Sequence, residues 1–160
     1  MTEQASFGPA EFQAATGADA RAMADMEAYL ALLEEWSGRM NLVGPSALQA
    51  FWGRHAFDSA QLLAIEPAAA RWLDVGTGAG LPGLVLAILG RGRPGMTVQL
   101  VESLTKRVTF LHEVVHRLDL PATVVHGRVE AAPVQAVEVV TARAVAPLPR
   151  LLEHTAHLLR

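Results

Sequence analysis

Cysteine is absent from the 160 residues of this sequence. Its absence excludes disulfide bonds, thiolate-held iron–sulfur clusters, zinc sites with thiolate ligands and a cysteine nucleophile. Long apolar runs are absent too, since none reaches the ~18–20 residues that a membrane span needs. The first residues, MTEQASFGPAE, lack the pattern of a secretory signal peptide. We therefore expect a cytoplasmic protein that contacts no membrane.

Lysine is scarce, because Lys106 stands alone beside twelve arginines. The formal net charge of −3 argues against a general nucleic-acid coat protein. Residues 1–36 hold seven acids and one base, whereas residues 37–160 hold twelve bases and nine acids, a local charge of +3. Arginine binds phosphate and carboxylate in a planar fork, although a GC-rich genome gives the same bias.

The first part of the chain predicts helices rather than strands. Residues 1–17 hold scattered glycine, proline and threonine, and we expect a flexible arm there. From about Ala18 an apolar stripe with helical spacing begins, made of Met23, Met26, Leu30, Leu33 and Trp36. Ser46 is a candidate cap for a second helix that runs to about Ile65. Residues 18–66 thus form an N-terminal helical extension.

Beyond residue 66 the pattern changes to strands that alternate with helices. Strands are predicted at 72–75, 97–101, 122–125 and 137–141. Helices are predicted at 84–89 and 148–160, and between them a further helix begins after Ser103, its candidate cap. The middle helix has a predicted inner face of Leu104, Val108, Leu111, Val115 and Leu118. Such alternation forms right-handed crossovers and a parallel sheet. Residues 67–160 therefore predict a doubly wound α/β core, packed with the extension as one domain.

A glycine-rich loop, Gly-Thr-Gly-Ala-Gly-Leu-Pro-Gly at 76–83, lies between the first predicted strand and its helix. Glycines in such a turn let backbone N–H groups approach a ligand closely. Glu102 ends the next strand, where a carboxylate can accept hydrogen bonds from both ribose hydroxyls of a nucleoside. The alternative is a tight turn whose glycines serve packing only.

The loop fits two cofactor patterns. Gly78-x-Gly80-x-x-Gly83 matches the dinucleotide pattern and would suit an NAD(P)-dependent oxidoreductase. Asp74-x-Gly76-x-Gly78-x-Gly80 matches an S-adenosylmethionine loop instead. A carboxylate is favourable near the ammonium and sulfonium of that cofactor but would repel a pyrophosphate. Asp74 therefore favours methyl transfer.

Several short motifs follow one another in a fixed order between about Trp36 and Leu151. They are Asn41-Leu42, Arg54-His55 with Asp58-Ser59, Asp74 to Gly83, Glu102-Ser103 with Lys106-Arg107 and Phe110-Leu111, Arg128-Val129-Glu130, and Ala142-Arg143-Ala144. In this order they resemble the bacterial RsmG (GidB) family, the guanine-N7 methyltransferases of small-subunit rRNA. The Leu-Pro-Gly that ends the glycine loop is the most specific part.

The resemblance implies a Rossmann-like fold, S-adenosylmethionine as cofactor, and 16S rRNA or the assembling small ribosomal subunit as partner. Gly76 and Leu81 would line the methionine side of the cofactor, Glu102 would hold the ribose, and Val129 and Glu130 would lie by the adenine. Arg143 would lie at the mouth of the site. The full implied cofactor set is Asp74, Gly76, Gly78, Gly80, Leu81, Glu102, Val129, Glu130 and Arg143.

Arg54, His55 and Asp58 match the family without a role that the sequence reveals. An alternative for Asp58 is that it caps its helix or pairs with Arg54. Methylation of guanine N7 needs no base, because N7 carries a free lone pair. The only tyrosine, Tyr29, lies in the N-terminal helix, so we assign no acid or base and take Arg143 as a candidate for positioning the substrate.

Two histidine patterns suggest metal chemistry that we do not expect. His112-Glu113-Val114-Val115-His116 spells the helical zinc-protease motif, but no third-ligand pattern follows it. The apolar stripe of this helix also turns both histidines towards its polar side. His154 and His157 are interpreted in the same way, as part of a solvated helix face, so no metal site is predicted.

The methyltransferase sheet of the resembled family has seven strands, in the order 3-2-1-4-5-7-6, and only four are found here. We expect strands five to seven, with the family's Lys-Gly segment, to be missing beyond Arg160. Strand four would then be an open edge, and the last helix would lack a strand to return to. We expect a monomer that is less stable than a complete homologue. A non-catalytic remnant that binds cofactor or rRNA is therefore a further alternative.

Overall fold

The computed structural model describes residues 6–143 and 146–160. Its helices are α1 (Pro9–Thr16), α2 (Ala20–Met40), α3 (Pro45–Gln49), a π-helix (Phe51–Phe57), α4 (Asp58–Ile65), α5 (Gly83–Gly90), α6 (Thr105–Leu118), α7 (Leu148–Thr155) and a 3-10 helix (Ala156–Leu158). Its strands are β1 (Arg71–Val75), β2 (Thr97–Glu102), β3 (Ala122–His126) and β4 (Val139–Ala142). None of the helices in this part of the chain is long and apolar enough to cross a bilayer.

The prediction of a flexible arm over residues 1–17 is wrong for α1; residues 1–5 lie outside the described part. Pro9 opens α1, and the Glu11 carboxylate accepts a hydrogen bond from the Gly8 N–H at 2.9 Å. Phe12 is fully buried, with its ring 5.3 Å from the ring of Trp52. The helix buries one side chain only, so it lacks the apolar stripe by which a sequence reveals a helix.

Helix α2 is present as predicted, capped by Asp19, whose carboxylate accepts a hydrogen bond from the Ala22 N–H at 2.8 Å. Its buried face differs from the predicted stripe. Met26 and Leu33 are buried as expected, but Tyr29 and Leu32 are buried in place of Met23, Leu30 and Trp36, which are half-buried. The face is therefore rotated slightly, and the single tyrosine points into the core.

The predicted helix from Ser46 to Ile65 is divided into α3, the π-helix and α4. Ser46 does not cap it, because Gly44 occupies the cap position before Pro45. In the π-helix the adjacent Phe51 and Trp52 both pack inward, Phe51 against Tyr29 and Trp52 against Phe12. A wider turn accommodates two neighbouring inward side chains, and such turns are frequent at functional sites.

The four strands form a parallel sheet in the order β3-β2-β1-β4, as predicted. Helices α2, α5 and α6 pack on one face, in a core that extends from Phe12 to Leu120. On the other face the segment after β3 and the C-terminal helices cover a smaller core that includes Leu73, Val101 and Leu158. The strand order reverses between β1 and β4, which is where doubly wound sheets bind ligands.

Two details of α6 differ from the sequence prediction. Ser103 is not its cap; Leu104 holds that position and half of its side chain is exposed. The buried face is Val108, Phe110, Leu111 and Val114, rather than a stripe that begins at Leu104. His112 and His116 are exposed as expected. The described residues contain no group of three side chains that could hold a metal ion.

The edge of β4 differs in part from the predicted open edge. Within the described residues, Val139–Ala142 pairs only with β1. Upstream, however, the Val137 N–H donates to the Leu158 carbonyl at 2.8 Å, and the Arg160 N–H donates to the Val137 carbonyl at 2.9 Å. The chain after α7 thus returns to the sheet in parallel orientation, and the predicted helix at 148–160 ends earlier.

Candidate functional site

The glycine loop connects β1 to α5 at the carboxyl edge of the sheet, and its glycines have different tasks. A Cβ atom at Gly80 would lie 2.2 Å from the Leu84 side chain, and one at Gly83 would lie 2.2 Å from the Leu100 side chain. Both glycines therefore serve packing. Gly78 has φ of +60°, and a Cβ there would meet no atom within 4 Å. Gly78 therefore leaves open space beside its own backbone.

Asp74 lies inside the loop rather than at its surface. The side chain is fully buried, and its Oδ2 accepts hydrogen bonds from the Thr77 hydroxyl at 2.6 Å and the Gly83 N–H at 2.8 Å. Its Oδ1 accepts one from the Thr141 hydroxyl of β4 at 3.1 Å. Burial raises the pKa of Asp74 to about 6, against the lowering effect of these donors.

This geometry shows how Asp74 is placed relative to a ligand bound at the loop. The carboxylate is enclosed by protein groups, so no ligand atom can contact it in this conformation. It instead ties the loop, the start of α5 and β4 together. Its position between two parallel strands follows from the register, in which Asp74 lies opposite Leu100 and Thr141.

Glu102 lies at the end of β2 as predicted, and its carboxylate already has partners. Oε2 accepts a hydrogen bond from the Gly78 N–H at 2.8 Å, and Oε1 accepts bonds from the backbone N–H groups of Ser103 and Leu104 at 3.1 and 3.2 Å. Arg107 is 3.8 Å away. A ribose that bound Glu102 would therefore compete with the Gly78 N–H for Oε2.

The turn after β3 adjoins this carboxylate, since the Gly127 N–H donates to the Glu102 carbonyl at 2.9 Å. Val129 is half-buried in the smaller core, and Glu130 is exposed. His154 of α7 is half-buried with its Nε2 3.6 Å from the Glu130 carboxylate. The prediction of a solvated His154 is thus wrong, whereas His157 is exposed as expected.

A cavity of about 450 Å³ opens beside the loop, between α4 and the end of β4. Pro82 of the loop and Arg143 line it, so the cavity reaches the site that the sequence predicted. Its polar lining is Asp58, Ser59, Thr141 and Arg143, and its apolar lining is Leu62, Pro82, Val140, Ala142 and Leu151. Ala144, the last residue of the Arg143 motif, lies outside the described residues.

The cavity places Arg143 close to Asp58, which belongs to the family motif of Arg54, His55 and Asp58 whose role the sequence left open. Asp58 begins α4, and within the described residues its side chain makes neither an ion pair with Arg54 nor a hydrogen bond. His55 is half-buried, and its Nδ1 is enclosed without a partner in this part of the chain. Burial and the positive charge of Arg143 lower the pKa of His55, so the imidazole is neutral at neutral pH.

Tyr29 is a site residue that the sequence did not reveal. It is fully buried on α2, and its hydroxyl donates a hydrogen bond to the Ala79 carbonyl in the glycine loop at 2.6 Å. Burial, followed by the charge of Asp74, raises its pKa well above the ordinary value, so it remains a donor. Its spacing from Met26 and Leu33 could have placed it on the buried face, but not against the loop.

A larger cavity, of about 890 Å³, lies between the α1–α2 turn, α4 and the end of α5. It contains none of the predicted site residues. Two of its arginines are engaged in the fold: Arg91 pairs with Asp25, and Arg93 donates to three carbonyls around the end of α4. The chemistry of the predicted site therefore belongs to the smaller cavity.

Comparison with known sequences gives a consistent result. The family model described as GidB, rRNA small subunit methyltransferase G, matches residues 22–160. Proteins named ribosomal RNA small subunit methyltransferase G match from Caulobacter vibrioides (strain NA1000 / CB15N), 47% identical over 152 residues, and from Caulobacter sp. (strain K31), 54% identical over 121 residues. These matches cover 95% and 76% of this chain, and 70% and 54% of the relatives.

Solved structures show the same fold at low sequence identity. An O-methyltransferase from Bacillus cereus in complex with SAH matches with a TM-score of 0.59 and 20% identity, over 86% of this chain and 62% of that one. A putative O-methyltransferase from Klebsiella pneumoniae matches with a TM-score of 0.60 and 17% identity, over 93% and 64%. The predicted Rossmann-like methyltransferase fold is confirmed.

Proposed function

The chain belongs to the GidB family of small-subunit rRNA methyltransferases, and from this premise we propose that it transfers a methyl group from S-adenosylmethionine to guanine N7 of 16S rRNA. One observation carries the proposal. The open face of the glycine loop, the Glu102 carboxylate and the 450 Å³ cavity all lie at the carboxyl edge of the sheet, beside its reversal point. Doubly wound sheets bind nucleosides at this place.

The residues around the loop fit the cofactor. Gly76 and Leu81 would line its methionine side, Glu102 would bind the ribose after releasing the Gly78 N–H, and Val129 and Glu130 would adjoin the adenine. Asp74 and Tyr29 are buried beneath the loop, and their hydrogen bonds hold it from the side of the protein core. The cofactor supplies an electrophilic methyl group on a sulfonium.

The chemistry requires positioning rather than proton transfer. The N7 lone pair forms the new bond to the methyl carbon while the carbon–sulfur bond breaks and its electrons stay on sulfur. No proton leaves N7, so the step requires no base. The protein has to align N7 with the methyl group and exclude water, which alone supplies large rate effects. Arg143, at the end of β4 in the cavity, is placed to orient the guanine or a phosphate.

A direct test is methyl transfer from labelled S-adenosylmethionine to 16S rRNA, isolated from cells that lack the modification, both naked and in small subunits. We expect label in 7-methylguanosine after nuclease digestion. Calorimetry with S-adenosylmethionine and with NAD(H) separates the oxidoreductase alternative, which predicts binding of NAD(H) only. Binding of S-adenosylmethionine without methyl transfer to either substrate would support a non-catalytic binding protein and contradict the proposal.

Partner, state and location follow as parts of the same proposal. The partner is 16S rRNA or the assembling small subunit, the chain acts as a monomer in the cytoplasm, and residues 18–66 form one unit with the core. Contacts of α2 with α5 and α6 support that unit. Analytical ultracentrifugation of the purified chain tests the monomer.

A further inference from the structure

The cavity between α4 and β4, called the α4–β4 cavity below, has the build of a site for a flat, partly apolar ligand. Its volume of about 450 Å³ lies within the ~300–1,000 Å³ range typical of small-molecule sites. Leu62, Pro82 and Leu151 offer apolar surface, while Asp58 and Arg143 offer one negative and one positive group. A nucleobase needs this combination, because its faces are apolar and its edges polar.

Asp58 is an exposed carboxylate at the wall of the cavity, and neither it nor Arg143 makes a hydrogen bond with the described residues. Its position at the first residue of α4 is fixed by the π-helix before it and by Ser59, whose hydroxyl donates to the His55 carbonyl at 2.6 Å. An ionised carboxylate accepts hydrogen bonds and donates none. His55, neutral beside it, neither repels an approaching donor with a charge nor neutralises Asp58 by ion pairing.

Among the nucleobases, guanine presents two adjacent N–H donors, N1–H and the N2 amino group, on its Watson–Crick edge. A carboxylate matches them with two parallel hydrogen bonds. Adenine presents an acceptor at N1, which a carboxylate repels, and hypoxanthine lacks the N2 amino group. Enzymes that modify a base bind it flipped out and read this edge.

We propose that the α4–β4 cavity receives the flipped guanine and that Asp58 selects it by accepting hydrogen bonds from N1–H and the N2 amino group. This inference rests on the proposed function and names the specificity residue for it. The arrangement leaves N7 free, because N7 lies on the opposite edge of the base from the groups that Asp58 binds. Arg143 contacts O6 or the flanking phosphate and takes no part in the discrimination against hypoxanthine.

The test measures base preference on the full 160-residue chain, saturated with S-adenosylhomocysteine. Ligand-observed NMR gives the Kd values of guanosine, inosine and adenosine 5′-monophosphates, whose phosphate contributions are identical. For the unaltered chain we expect guanosine monophosphate to bind about tenfold more tightly than inosine monophosphate, with adenosine monophosphate the weakest. In Asp58→Asn the preference for guanosine monophosphate over inosine monophosphate should fall to less than about twofold.

Glu66→Gln is the matched control. It removes one exposed acid just beyond the other end of α4, outside the cavity, and should leave the preference unchanged. The Kd of S-adenosylhomocysteine, measured by calorimetry, should be the same in both variants as in the unaltered chain. A change in that Kd for Asp58→Asn alone would assign Asp58 to the cofactor side and overturn the inference.

The methyl-transfer assay separates this inference from the proposed function. If Asp58→Asn lowers kcat/KM roughly 10- to 100-fold with the cofactor affinity unchanged, both stand. If the unaltered chain methylates guanine N7 but Asp58→Asn keeps its rate and base preference, only the inference fails. If the chain shows an Asp58-dependent guanine preference but no methyl transfer, the base site stands and the proposed function fails.

Discussion

The glycine loop and the α4–β4 cavity adjoin each other, but they differ in whether their polar groups have hydrogen-bond partners within the protein. In the loop, both carboxylates are satisfied by protein donors: Asp74 by three groups and Glu102 by three backbone N–H groups. At the cavity, the exposed carboxylate of Asp58 makes no hydrogen bond with the described residues, and close to it the enclosed Nδ1 of His55 has no partner among them.

The difference separates two kinds of binding site. A loop with satisfied groups keeps its shape without a ligand, since each buried polar atom would be costly to leave unpaired. In a cavity whose charged groups have no protein partner, a ligand replaces bound water, and the molecule whose donors and acceptors match those groups binds most tightly, so the cavity discriminates between molecules. The cofactor, constant from one turnover to the next, suits the first kind, and the base that has to be selected suits the second.

Gly83→Ala should cause the largest effect on the loop side. The new Cβ would lie 2.2 Å from the Leu100 side chain and 2.8 Å from Asp74 Oδ2. Both neighbours are buried, so overpacking should lower the free energy of unfolding by about 3 kcal/mol. Urea unfolding measures it, with Gly38→Ala as control, because a Cβ on that exposed helical glycine meets nothing within 4 Å. Equal midpoints for the two variants would contradict the packing role.

Asp74→Asn should follow in size. The isosteric amide places an NH₂ group where one or two donors already point, so we expect a loss of about 1–3 kcal/mol in the free energy of unfolding at pH 7. The measurement is urea unfolding of both chains at equal ionic strength. An unchanged stability would show that the buried charge, rather than its hydrogen bonds, dominates the local energy.

The free energies of unfolding of the unaltered chain and of Asp74→Asn should also differ in their pH dependence. Burial raises the pKa of Asp74 from its ordinary 3.8 to about 6. Between about pH 4 and 6 the folded chain therefore holds a proton that the unfolded chain has released, and the contribution of Asp74 to stability falls as the pH rises. The stability difference between the unaltered chain and Asp74→Asn should widen as the pH is lowered from 7 to 4.5. A constant difference would place the carboxylate in a solvated setting.

Tyr29→Phe should have a smaller effect, about 1 kcal/mol, because it removes one hydrogen bond to the Ala79 carbonyl and leaves the ring packing in place. The loop should also hold S-adenosylhomocysteine roughly three- to tenfold less tightly, by calorimetry. Thr109→Val is the control, since that hydroxyl donates to a carbonyl of its own exposed helix turn. An unchanged affinity in Tyr29→Phe would show that α2 does not position the loop.

Arg143→Gln gives the smallest predicted effect, on the cavity side. Burial lowers the pKa of His55 first and the charge of Arg143 lowers it next, so removal of that charge should raise the His55 pKa. An NMR titration of the histidine ring signals measures the shift. Arg150→Gln, an exposed change on α7, should leave the His55 pKa where it is. Identical shifts in both variants would mean that Arg143 does not face His55.

The loop side was largely predictable from the sequence, because its geometry is encoded locally. Residues 74–83 contain both the glycines of the turn and the carboxylate of Asp74. Strands β2 and β4 pair with β1 on either side and so fix the position of the loop in the sheet. The sequence did not show the direction of the Asp74 side chain. A residue name shows that a carboxylate is present, but only packing shows that Thr141 of β4 encloses it.

The cavity side could not be predicted, since its parts come together only through the sheet topology. Asp58 and Arg143 lie at distant positions in the sequence, and no local pattern around either residue predicts that they line the same cavity. The π-helix was also missed, because a helix with two adjacent inward aromatic residues, Phe51 and Trp52, departs from the regular 3.6-residue period. Helix α1 was missed because Phe12 alone carries its burial.

The hydrogen bond from the Gly78 N–H to Glu102 turns nucleoside binding into an exchange of partners. If ribose hydroxyls bind Glu102, they replace a bond that already exists, so this carboxylate contributes little net enthalpy to affinity. The freed Gly78 N–H then faces the ligand and can donate to it. Affinity must therefore come from burial of the adenine and the thioether side, and the heat capacity of binding should be clearly negative.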